Sequence, residues 1–198
     1  MTDASFFTGR KMKSKINEAI QHYYNTLSAY DGNSRDAKKA DKHMEGFTDI
    51  FREAVSSKFK LGEKHSAVVS GGFLKKRWDM AYGIDNNYNN VLELKSIVLS
   101  KMGKCFSNRV EEAIGVAVDL RHVNKAIKLN YFLVVEDDNI ITTKSKEAKL
   151  EKLTSFCNYL ENELGLYENV CCILIKNNEA KALYSSVEDF ISKWSNSQ

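Results

Sequence analysis

A chain of 198 residues is long enough for one domain with a substantial core, and its stability needs neither disulfides nor a structural metal. Hydrophobic residues at 43% and charged residues at 28% exclude a disordered tail, and no apolar run approaches the length of a bilayer crossing. The net charge of +3 is unevenly placed: residues 1–110 carry 19 Lys and Arg against 12 Asp and Glu, and the remainder carries 10 against 14. This asymmetry suits one face to a polyanion, although solvated lysines on helix surfaces give the same pattern.

The chain opens with MTDASFFTGRKMK, which lacks the basic-then-apolar layout of a secretory signal, so a cytoplasmic location without membrane contact is expected. Ile16, Ile20, Tyr23 and Leu27 recur at helical spacing, and Asp31-Gly32-Asn33 supplies a stop. Ala40, Met44, Phe47, Phe51, Ala54 and Val55 form a second amphipathic stretch, which makes residues 1–60 a helical pair. A short apolar piece, Ala67 to Val69, and the Gly71-Gly72 break follow. Trp78 to Ile84 and Val91 to Ser96 then read as strands, and the turn formers Asp85 to Asn90 between them predict a β-hairpin.

Asn108, with Glu111 three residues on, has the character of a helix cap. Val110, Ala113, Ile114, Ala117 and Ile127 continue it as a buried helix of about five turns. Tyr131 to Val135 suits an interior strand, Leu153 to Leu164 a helix, and Val170 to Ile175 another strand. Ser186 with Asp189 caps a final helix through Phe190, Ile191 and Trp194. Cys105, Cys157, Cys171 and Cys172 form no CxxC pair and read as small core residues. The order predicts an α/β (α+β) fold: one domain over residues 1–198, with residues 65–198 as a mixed sheet flanked by helices.

The chemistry lies in the hairpin. Along a strand, Leu92 and Leu94 face one side and Glu93 and Lys95 the other, so two leucines enter the core and a carboxylate and an ammonium share a face. Charges bracketed by apolar residues are costly unless they meet a wet cleft, a metal or each other. Asp79 lies on the adjacent strand, where pairing brings its carboxylate beside Glu93. Two close carboxylates without a nearby His or Cys cluster suit a hard divalent cation, and Mg2+ is the expected ion. An exposed hairpin face with a cross-strand salt bridge is the bland alternative.

Arg77-Trp78-Asp79, then Leu92-Glu93-Leu94-Lys95-Ser96, then Ser107 to Gly115 (SNRVEEAIG) resemble the XhoI family of type II restriction endonucleases, within the PD-(D/E)xK nucleases. Lys42 to Phe47 is similar to the family's upstream helix and Tyr131 to Asp137 to its following strand, so the likeness spans roughly residues 40–140. It differs in having no proline before Asp79 and an altered segment from Ile97 to Phe106. The resemblance implies a restriction-endonuclease-like fold. It implies a homodimer that hydrolyses both strands of a palindromic site in double-stranded DNA and leaves 5′-phosphate ends. Asp79, Glu93 and Lys95 take the catalytic roles, and Asp79, Glu93 and the main-chain carbonyl of Leu94 hold Mg2+.

Glu45, Glu111 and Glu112 are candidate outer-sphere metal ligands, and Lys75, Lys76, Arg77, Ser96, Lys101, Lys104, Asn108 and Arg109 are candidate DNA contacts. The scattered His22, His43, His65 and His122 receive no part. Two other functions fit the same residues: a repair nuclease or junction resolvase on the same core, and a non-catalytic DNA-binding protein whose charged triplet is structural.

Overall fold

A computed structural model of the chain describes residues 9–29, 42–56, 63–84 and 87–196. The predicted stop at Asp31-Gly32-Asn33, Ala40, and the first half of the predicted hairpin separator, Asp85-Asn86, lie outside those residues.

Helix α1 (Gly9–Ser28) buries Met12, Ile16, Ala19, Ile20 and Tyr23, a stripe at three- and four-residue spacing. After a 3-10 turn at Lys42–Met44, α2 (Glu45–Ser56) buries Phe47, Ile50, Phe51 and Ala54. The two helices pack closely at Gly46, where a Cβ would stand 2.8 Å from Ala19 Cα. Any larger residue there would push α2 off α1.

Six strands form one sheet in chain order: β1 (Glu63–Ser70), β2 (Lys75–Ile84), β3 (Asn87–Val98), β4 (Lys128–Glu136), β5 (Asn169–Lys176) and β6 (Glu179–Tyr184). β1, β2 and β3 pair antiparallel, β3, β4 and β5 parallel, and β5 and β6 antiparallel. This mixed sheet with helices on both faces is a restriction-endonuclease-like architecture. Parallel neighbours need crossovers, which α3 (Met102–Val123) and α4 (Thr143–Asn158) supply. A π-helical turn, Tyr159–Glu163, extends α4, and α5 (Val187–Asn196) closes the described chain.

The faces carry separate cores. One joins Val91, Tyr131, Leu133 and Val135 of the sheet to Met102, Phe106, Ala113, Ala117 and Leu120 of α3 and to Leu153, Phe156 and Cys157 of α4. The other joins Met80, Leu92, Leu94, Phe132 and Val134 to α1, α2 and α5. Burial of each such side chain contributes about 1.5–3 kcal/mol. Leu92 and Leu94 therefore anchor β3 from one side and turn Glu93 and Lys95 to the other. The cysteines are free, and Cys157, Cys171 and Cys172 are buried as small core residues.

Four sequence expectations change. Asn108 and Glu111 lie inside α3, which begins at Met102 after a 3-10 turn; the N-cap Lys101 makes no side-chain capping bond, so the true start carries no cap signal. That helix ends at Val123, and Ile127 is buried beyond its end. Strand β3 begins at Asn87, so most of the predicted separator is paired backbone, with Gly83 opposite Tyr88 and Ile84 opposite Asn87. The short apolar piece at Ala67 to Val69 is the centre of an eight-residue strand, β1. The predicted cap of the last helix is present: Ser186 Oγ accepts the Asp189 N–H at 3.0 Å. Among the described residues no helix is long and apolar enough to cross a membrane.

Candidate active site

β2 and β3 pair from Ile84 opposite Asn87 to Met80 opposite Leu92, with a bulge between Tyr82 and Gly83 that shifts the register by one residue, and Asp79 and Glu93 follow the last pair on their two strands. At Asp79 the alternation of β2 breaks, since Trp78 and Met80, two residues apart, enter opposite cores. The Asp79 carboxylate reaches across to β3, where Oδ2 accepts the Leu94 N–H at 2.7 Å. A bond from a charged acceptor to a backbone amide is strong and fixes the carboxylate beside the strand that carries Glu93 and Lys95.

Glu93 is 2% exposed, walled by the sheet, α3 and the buried rings of Tyr131 and Tyr167. Its Oε1 is ion-paired to Lys95 and, at 2.9 Å, to Lys76 of β2. Both ammonium groups also approach Glu112 of α3, Lys76 at 3.2 Å and Lys95 at 3.4 Å, and Arg109 one turn earlier holds the same carboxylate at 3.0 Å. Three carboxylates, Asp79, Glu93 and Glu112, thus balance three cations, Lys76, Lys95 and Arg109. Both oxygens of Glu93 are buried without a hydrogen-bond partner among the described residues: the lysines meet Oε1 as ion pairs only, and Oε2 lies beyond them.

The field inside this cluster sets the charge states. Burial pulls Lys95 down, but Glu93, Glu112 and Asp79 together outweigh it and hold its amine above the ordinary lysine range. Burial raises Glu112, whereas Lys95, Lys76 and Arg109 lower it more, to about 2. Burial and the negative charge of Glu93 keep the phenols of Tyr131 and Tyr167 protonated.

The sequence-predicted residues divide cleanly. Asp79, Glu93, Lys95 and Glu112 come together, with Lys76 and Arg109 ion-paired among them. Lys75, Arg77, Lys101, Lys104 and Asn108 are exposed, as are Glu45 and Glu111, and neither of those two glutamates is ion-paired to the cluster among the described residues. Ser96 points to the opposite face, where its hydroxyl lies 2.9 Å from His43 Nε2. His43, which sequence reasoning set aside, is buried against the Tyr23 ring beneath β3. Its placement depends on the 3-10 turn before α2, for which the sequence gives no signal.

Among the described residues no three His, Cys, Asp or Glu side chains gather as a complete metal cage. Two carboxylates on adjacent strands, one with a buried unpartnered oxygen, suit Mg2+, which keeps water and phosphate in its remaining positions. A cavity of about 610 Å3, lined by Lys13, Asn17, Glu179 and Glu188 among others, contains no cluster residue. A duplex needs an open face rather than an enclosed pocket, so the chemistry decides the location of the site.

The six-stranded mixed sheet with its flanking helices is that of a restriction-endonuclease-like α/β domain. The sequence model of restriction endonuclease XhoI matches residues 25–187, a wider span than the residue 40–140 likeness, and the chain belongs to this family. The chain is 35% identical over 85 residues to the type II restriction enzyme AbrI of Azospirillum brasilense, a stretch covering 40% of this chain and 38% of that protein. The aligned part is thus well under two thirds of the relative's length. No solved structure matches the chain.

Proposed function

We propose that the protein is a type II restriction endonuclease that hydrolyses phosphodiester bonds at a palindromic site in duplex DNA, as a homodimer, with Mg2+, leaving 5′-phosphate ends. The observation that carries this reading is Glu93: a buried carboxylate beside Asp79 with one oxygen unpartnered and the other held by two lysines. Asp79, Glu93 and the Leu94 carbonyl would hold the ion, whose chemistry is to polarise the scissile phosphate and lower the pKa of a bound water.

The chain's own groups do the rest. Lys95, held as an ammonium, donates hydrogen bonds to the attacking water or a phosphate oxygen and offsets the negative charge gathering on phosphorus. Lys76 and Arg109 add positive charge at the same edge, and Glu112 orients all three cations. A two-fold palindrome requires a two-fold protein, which supports the homodimer. DNA binding and a cytoplasmic site of action follow from the same reading.

The test is digestion of long duplex DNA with Mg2+, with EDTA, and with Asp79→Ala, followed by sequencing of the product ends. Discrete fragments that vanish in both controls support the proposal and give site, stagger and polarity. Cleavage of branched DNA with plain duplex left intact would indicate a resolvase. Intact DNA of both kinds, despite tight binding, would leave only a binding protein.

A further inference from the structure

The turn between β1 and β2 is built to hold an aromatic ring out into solvent. Phe73 at its tip is 92% exposed, yet its backbone is clamped: Asp119 of α3 accepts the Phe73 N–H at 2.8 Å and the Leu74 N–H at 3.0 Å. Two backbone bonds, Gly71 N–H to Leu74 O at 2.7 Å and Gly72 N–H to Asp119 O at 3.3 Å, complete the clamp. A Cβ on Gly71 would stand 1.9 Å from Asp119 Oδ2, so only glycine lets the turn lie this close to α3. The Phe73 ring stacks at 6.5 Å on exposed His122, and Leu74, Val118 and Val123 are exposed beside it. A polar clamp that rigidifies a turn without burying its largest apolar side chain prepares that side chain for a partner.

The charges around the patch point to the partner. Lys75 and Arg77, both exposed, follow Phe73 on the strand that carries Asp79, and Lys125 is exposed near the end of α3. The nearest carboxylate, Asp119, is already occupied by backbone amides. A second copy docked about a two-fold through this patch would set Lys75 and Arg77 against themselves, which is unfavourable. Phosphates on either side of an apolar face complement it instead. Six residues of strand separate Phe73 from Asp79, roughly 20 Å, so a duplex lying across the active site also passes the turn.

We propose that Phe73 is a duplex DNA contact, its ring packing on base or sugar faces while Lys75 and Arg77 hold the adjacent phosphates. This rests on the nuclease reading above and adds to it a binding residue outside the catalytic cluster. The probe is duplex DNA with Ca2+ and the uncleaving Asp79→Ala protein. Phe73→Ala in that background is expected to weaken binding about tenfold, the loss typical of one aromatic stack, with unchanged sedimentation and thermal melting. Ile140→Ala, which removes an apolar side chain 75% exposed on the β4–α4 connection, is expected to bind as the parent does. Phe73→Trp is expected to show fluorescence quenching on adding DNA. Unchanged affinity of Phe73→Ala, or its conversion of a dimer to a monomer without DNA quenching of Phe73→Trp, would overturn the proposal while leaving the nuclease reading intact. Failure of the parent Asp79→Ala protein to bind duplex DNA at all would overturn both.

Discussion

Two buried carboxylates in this molecule each face two lysines, and they differ in one respect. Asp137, at the end of β4, is 5% exposed; its Oδ2 takes Lys146 and, at 3.4 Å, Lys176, while Oδ1 accepts the Asn139 N–H at 3.2 Å. Both oxygens are used. Burial raises Asp137, and the two lysines and the amide lower it by more, so the net shift is downward. Glu93 is buried too, but its lysines meet Oε1 as ion pairs only, and neither of its oxygens has a hydrogen-bond partner among the described residues. A buried carboxylate with all its acceptors filled ties elements together, here β4 to α4 and β5; one with an acceptor left open carries a desolvation cost that a cation relieves. Completeness of partnering, rather than burial or the number of lysines, separates the carboxylate that ties elements together from the one proposed to hold a metal ion.

Paired substitutions give the largest expected effects on this contrast. Glu93→Gln is expected to abolish DNA cleavage while changing stability by less than about 1 kcal/mol, because Lys76 and Lys95 keep Glu112 as a partner and the cost of burying a poorly hydrogen-bonded carboxylate is removed. Asp137→Asn is expected to cost about 2 kcal/mol, since it strips two lysines of their partner, and to leave cleavage by the folded protein in place. Denaturant unfolding and a digestion assay read both; a large stability loss in Glu93→Gln would break the distinction.

A smaller effect concerns Lys76, which occupies Glu93 at 2.9 Å and has Glu112 as a second seat at 3.2 Å. Its ammonium competes with a divalent ion for Glu93, so Lys76→Ala is expected to tighten Mn2+ binding several-fold, about 1 kcal/mol. Lys75→Ala removes the same charge from an exposed neighbour and is expected to have little effect, which isothermal titration would show. The smallest effect is in acid. Glu112 has a folded pKa of about 2 against 4.5 for the free side chain, so its stabilising contribution is present above pH 4.5 and is lost as pH falls towards 2. Because the side chain is about one-third exposed, solvent screening holds this to roughly 1 kcal/mol. Glu112→Gln is expected to flatten the acid limb of the stability curve over that window.

Strand β3 was legible because it obeys two rules at once: leucines at alternate positions fix its inward face, and charges between them have only one place to go. The partners of those charges were not. Lys76 and Arg109 read as free cations for a polyanion, and only the packing of α3 across β2 and β3 turns them onto Glu93 and Glu112. The Asp79 bond to the Leu94 amide replaces a ladder bond, which no side-chain pattern records. The start of α3 was misplaced because its N-cap is an uncapped lysine, whereas Asn108 and Glu111 imitate a cap inside the helix. Strand β6 escaped notice because its side chains are largely exposed and show no apolar alternation. The signal that would have found it is the turn: Asn177 and Asn178 both adopt positive φ, 49° and 65°, as a two-residue hairpin demands.

Diffraction from crystals soaked in Mn2+, recorded at the manganese edge, locates the ion directly. An anomalous peak beside the carboxylates of Asp79 and Glu93, with Lys76 displaced towards Glu112, is the predicted result. A peak at Asp137, or density with both lysines still seated on Glu93 and no ion beside Asp79, would contradict the account.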